Sequence, residues 1–276
     1  MIAKLFRALG PIVALSAATL VAGCDGPNVN FNIGDTDAVP LSELDMSGPA
    51  PLKLVLAGPD DVIVTEGNKL AITVEGDSTA RDLVRFSLDN DTLGISRKDG
   101  KWKDVGTAIV RVTMPAPTEV LLAGSGTIKS AKLAGKASVT VAGSGRIDIA
   151  EVKASALDIT VAGSGQLAAG GQADSLDMTI AGSGSADMPG LSVGSADLTI
   201  AGSGNASFAS DGKVDASIMG SGNITVSGKA TCTVSAMGSG TVRCADGPVA
   251  SPAAPAAPLA PATPDAPPAP EAPDAN

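Results

Sequence analysis

Four aspartates recur at one phase of the chain: Asp158, Asp177, Asp197 and Asp215, spaced 19, 20 and 18 residues apart. Two residues after each stands a hydroxyl, Thr160, Thr179, Thr199 and Ser217, a row that Thr140 begins and Ser235 ends. A row of carboxylates flanked by hydroxyls suits a hydroxylated or cationic ligand. It also suits Ca²⁺, which takes several oxygen ligands, with Asp177 and Asp197 as the candidate pair. The plainer reading is a solvated acidic face that opposes edge aggregation. Stacked carboxylates also raise polysaccharide chemistry, because glycoside hydrolysis uses two acids at about 5 Å or about 6.5–9.5 Å. A row of identical solvated acids gives no split between an acid and a base, which that chemistry needs. Arg146 and Lys153 offer cations for a lyase, but no motif ties them to the acids.

Composition narrows the field. The chain has no His, which removes the Ser-His-Asp triad, His-ligated zinc and His-ligated haem. It has no Tyr, one Trp and four Phe, so aromatic sugar platforms are scarce. Lys and Arg number 19 against 29 Asp and Glu, the wrong balance for a nucleic-acid binder. No cofactor is implied apart from the calcium candidate.

The elements that must place the aspartates are written as a repeat. "GSG" occurs seven times, with first glycines Gly124, Gly143, Gly163, Gly182, Gly202, Gly220 and Gly238. Two and four residues before each first Gly, and four and six after, the columns are nearly all apolar. The residues between are mostly Thr, Ser, Asp, Ala or Lys. Period-two alternation on both sides of a glycine corner marks half-buried strands. A repeat of 18–20 residues predicts an all-β fold, a single-stranded parallel β-helix, right-handed by the usual sense of parallel crossovers. A sandwich of stacked hairpins is the rival, and the steady phase over seven units favours winding. "LKLVLAGPDDVIV" around Gly58 carries the same phase once more. Residues 50–117 then form the irregular N-terminal strands that cap the β-helix, and 118–246 the regular coils.

Both termini differ in kind. Lys4 and Arg7 precede an apolar run from Ala8 to Ala22, which ends "VAGC" at Cys24. Residues 1–23 therefore read as a signal peptide, and Cys24 as the lipidated residue of a bacterial lipobox; an ordinary signal peptide with an incidental Cys is the alternative. That reading places the protein outside the cytoplasm, lipid-anchored in the cell envelope. Residues 24–49 read as a linker. Residues 247–276 are almost all Pro and Ala with a few acids and read as a disordered tail, either a spacer or an inert solubilising segment. Setting Cys24 aside leaves Cys232 and Cys244, six residues either side of Gly238 and both in the inward phase. They form a disulfide candidate in an exported protein, with two buried thiols as the alternative.

The serial GSG coils, the segment "IVRVTMPAPTEVLLAGSG" and the lipoprotein-like start together resemble the GIN-domain family, over about residues 50–246. The resemblance implies a β-helix fold and a surface-associated, adhesin-like, non-catalytic role. Its partners would be a glycan or protein of the cell envelope or surface. No barrel-forming C-terminal region is present, so the chain does not read as a self-exporting autotransporter.

Overall fold

The computed structural model describes residues 38–89, 91–98, 105–245 and 249–250. The signal peptide, Cys24 and most of the Pro/Ala tail lie outside the described residues. Strands run in order as β1 Lys53–Gly58, β2 Asp61–Glu66, β3 Ala71–Gly76, then the short helix α1 Ser78–Leu83, β4 Val84–Asp89, β5 Thr92–Arg97, β6 Ala108–Met114 and β7 Glu119–Gly124. Long bent strands follow: β8 Thr127–Gly143, β9 Arg146–Gly163, β10 Gln166–Gly182, β11 Ser185–Gly202 and β12 Asn205–Gly220. The chain continues with β13 Asn223–Ser227, β14 Thr231–Gly238, β15 Thr241–Cys244 and β16 Val249–Ala250.

The pairing is that of a parallel β-solenoid. Each coil stacks on the next in register, so Gly124 pairs Gly143, Gly143 pairs Gly163, Gly163 pairs Gly182, and on to Gly238. Alternation explains the core: along β9, Ile147, Ile149, Val152, Leu157, Ile159 and Val161 are buried and their neighbours face out. The first glycine of each GSG sits at positive φ, +108° at Gly163. A Cβ there would stand 2.6 Å from the carbonyl oxygen of Gly143, so the corner needs glycine both for its angle and for close stacking. Coil length varies without disturbing the two main arms. Register shifts at Gly135/Lys136, Ala169/Gly171 and Asp187/Ser192 absorb the extra residues in the third stretch.

Stacking order departs from chain order at the start. The coil β1–β2 lies between β7–β8 on one side and β5–β6 on the other. The terminal coil is thus β5–β6, although the chain makes it second. It is covered in turn by β4, antiparallel to β5, and by β3, antiparallel to β6. The chain is already in the fold at Val39, which bridges to Phe86, and Leu41 and Leu44 pack on the core. The linker reading therefore gives way from residue 38 onward.

Asp60, at the β1–β2 corner, fastens this arrangement. Its carboxylate accepts from Arg97 Nε at 2.8 Å and from the Ala108 backbone N–H at 2.8 Å, while Arg97 Nη2 also donates to the Gly106 carbonyl. Both side chains are fully buried. At the other end, Cys232 and Cys244 are joined as a disulfide with Cα atoms 6.7 Å apart, tying the two arms of the last coil.

Candidate functional site

Register gathers the recurring aspartates into one column. Asp158 pairs Asp177, Asp177 pairs Asp197 and Asp197 pairs Asp215, with Ser138 and Thr233 at the two ends. The hydroxyl row runs beside it: Thr140, Thr160, Thr179, Thr199, Ser217 and Ser235 are successive partners. Strand alternation turns all of these outward, because Leu157, Ile159, Met178, Leu198 and Ala216 beside them are buried.

The column lines one side of a shallow groove of about 410 Å³. Its other side is a second row, Ser175, Ser195 and Lys213; sequence reading places Lys213 near the column and misses the two serines. Ser195 pairs both Ser175 and Lys213, and Ser175 Oγ donates to the Ser155 carbonyl at 3.3 Å. Spacing holds the signal, since Ser155, Ser175 and Ser195 recur at 20 residues. Counted from the glycine corners, the row stands seven residues before Gly182, Gly202 and Gly220, but Ala156 holds that place one coil earlier, so no single residue type marks it. The groove's floor is Ala156, Leu157, Leu176 and Ala196.

Charge is uneven along the groove. Lys213 Nζ bonds Asp215 Oδ2 at 2.6 Å. That bond, with a second from Thr233, holds the Asp215 carboxyl below the usual carboxylate range. The Lys213 ammonium is held above its usual range mainly by the Asp215 bond, with Asp197 adding a smaller pull. A general acid in glycoside hydrolysis needs the opposite shift, a carboxyl held up. Asp215 is therefore not placed to be that acid. Among the described residues no group of three or more His, Cys, Asp or Glu is gathered to hold a metal ion. Asp177 and Asp197 are stacked side chains on adjacent coils rather than parts of a closed ligand set, and the calcium expectation finds no support. Arg146 and Lys153 lie elsewhere: Arg146 bonds Asp148 at 2.8 Å and Gln166 at 2.8 Å on the arm after the corner. Lys153 pairs Gln172 on the third stretch. Neither lines the groove.

The fold and its repeat find a match among known families. The model described as "Putative auto-transporter adhesin, head GIN domain" matches residues 50–230. The chain belongs to the GIN-domain family. No curated protein matches it at a significant level. Similar folds occur in a "putative adhesin" of Bacteroides fragilis (TM-score 0.64, 19% identity, covering 71% of this chain and 92% of that one). A "putative lipid binding protein" of Parabacteroides distasonis gives TM-score 0.55 and 22% identity over 71% and 93% of the two chains. A "putative adhesin" of Parabacteroides merdae gives 0.54 and 20% over 71% and 92%. At these identities the likeness is one of fold. Among the described residues no helix is long and apolar enough to cross a membrane.

Proposed function

We propose that this GIN-domain chain is an exported, lipid-anchored, adhesin-like scaffold of the cell envelope. It binds without catalysis, and its ligand is a polyhydroxylated chain lying along the Asp–Ser groove. The observation that carries this reading is the register: four coils present the same carboxylate and a hydroxyl beside it at one spacing, roughly 4.8 Å per coil. A surface that repeats along an axis matches a ligand that repeats along its length. Carboxylates accept from ligand hydroxyls, Thr and Ser both donate and accept, and Lys213 closes one end. Lys4, Arg7, the apolar run and Cys24 support export and lipid attachment. Family membership supports a surface role. An acyl chain needs an apolar cavity, and the solenoid interior is filled by side chains such as Leu122, Val141 and Ile180, so the groove and not the interior is the binding surface.

The test is a glycan array probed with residues 25–276 and with the Asp177→Ser/Asp197→Ser double variant. The expected result is retention of one polymer class by the parent, weakened about tenfold or more in the variant. Equal binding by both would move the site off the column. Absence of any bound glycan would sink the ligand class, and release of reducing ends or unsaturated sugar would overturn the non-catalytic reading.

A further inference from the structure

Among the described residues, the last coil ends in an edge that is paired over only two positions. β14 pairs β12 along Thr231–Gly238, but on its other side only Cys232 and Thr233 have described partners, Val249 and Ala250. Backbone direction explains the stop. Ser138 donates its N–H to Thr118 of the preceding coil, and in parallel pairing the outward residues of this phase all turn back in the same way. Of the inward residues, Val234 gives its N–H to the Ala250 carbonyl of β16, while the Val234 C=O and both backbone groups of Ala236 turn to the free side. In the β14–β16 register the next donor, to the Val234 carbonyl, would come from residue 252, a proline with no N–H.

The same edge is apolar and nearly uncharged. Ala236 is exposed and Val234 half-buried, although Ile218 and Ala216 one coil earlier are buried. Ala57, Ala123, Ala142, Ala162, Ala181 and Ala201 form one outward column, which continues as Met219 and Met237. Met219 is 50% exposed and Met237 72%. β14 contains no charged residue. Residues 205–245 hold Lys213, Lys229 and Arg243 against Asp211 and Asp215, whereas the whole chain carries −10.

We propose that this edge is a homotypic interface. Two copies join by antiparallel pairing of β14 with β14 over residues 234–238, about a two-fold axis at Ala236. A two-fold axis sets each strand against itself, so a charged edge would face its own charge. An acidic chain repels its copy over most of its surface, and this end is where that repulsion is missing. Pairing begins at the Val234 carbonyl because β16 occupies positions 232 and 233 and takes the Val234 N–H. In this register Met237 of one copy lies beside Ser235 of the other, and the exposed ends of both cores are covered. The contact is isologous and closes at two.

Sedimentation velocity on residues 25–276, over a concentration series reaching about 1 mM, tests this. The expected result is a reversible monomer–dimer equilibrium with no larger species. Met237→Lys should weaken it about tenfold or more, while Met46→Lys, at another exposed methionine, leaves it unchanged; circular dichroism should show both variants folded. A parent that stays monomeric throughout overturns the proposal and assigns the edge to a different protein. A dimer indifferent to both Met237→Lys and Ser235→Lys overturns it too, as does growth into longer species.

Discussion

At one end of the solenoid, β3 and β4 run antiparallel to the terminal coil, α1 lies between them in the chain, and Glu75 pairs with Arg111 along the edge. At the other end β14 and β15 are tied by one disulfide and, among the described residues, only the two-residue β16 lies against β14, with Ala236 and Met237 exposed. The closed end uses two protections of an edge strand, charge and cover. Among the described residues the open end has β16 over two positions, and a proline follows in the sequence. The body between them is the same repeat throughout, so the difference is not in the strands. One end is finished as a surface, and the other is left as a template.

The strongest way to break this comparison is at the closed end. Asp60 joins a coil that is out of chain order to the coil stacked upon it. Asp60→Ala leaves Arg97 buried and uncompensated, and Arg97 Nη1 already lacks a hydrogen-bond partner. The expected loss is about 3–5 kcal/mol in urea unfolding, with amide exchange accelerated first in β5 and β6. The counterpart at the open end is Cys232→Ser/Cys244→Ser. Closing so short a loop stabilises by about 3 kcal/mol in the chain-entropy model. In a stacked repeat that loss should be local: exchange accelerates in β14 and β15 while β3 to β6 are unaffected. Equal acceleration at both ends would mean that the solenoid unfolds as one unit and that its ends are not energetically separate.

The body of the fold was legible because its information is local. Alternation around each GSG names the inward residues, and even the isolated phase at Gly58 is real, since Gly58 pairs Gly124. The closed end was not legible, for a physical reason. A local pattern says which face of a strand is buried but not which coil lies next to it, and the insertion of β1–β2 between β5–β6 and β7–β8 is a choice of neighbour. Asp60 and Arg97, 37 residues apart, look like ordinary surface charges until the corner brings them together. The Asp column was legible as a row because it shares the glycine phase. The row opposite shares that phase but was less legible, because its residue type changes from coil to coil: Ala156, Ser175, Ser195 and Lys213.

Corner glycines sharpen the contrast between end and body. Gly182 and Gly58 both sit at positive φ, but a Cβ on Gly182 would stand 2.5 Å from the Gly163 carbonyl oxygen, whereas one on Gly58 meets nothing within 4 Å. Both alanine variants bear the backbone strain, and only Gly182→Ala adds a clash between coils. Gly182→Ala should therefore be the less stable of the two by about 1–3 kcal/mol. Equal melting temperatures would show that the angle, and not the stacking distance, sets the need for glycine.

The smallest expected effect bears on the groove. Like carboxylates one coil apart repel by roughly 0.8 kcal/mol per pair in water. Asp177→Ser/Asp197→Ser removes the three adjacencies that run from Asp158 to Asp215. The variant should be more stable than the parent at low ionic strength, by about 2 kcal/mol, and the gain should shrink as salt screens the column. If stability rises and solubility is unchanged, the aspartates neither hold the fold together nor keep the molecules apart, and ligand contact is the role left to them. If solubility falls instead, the column is the solvated face of an acidic solenoid. The open end, free of such charge, would then be the one place where that protection is withheld.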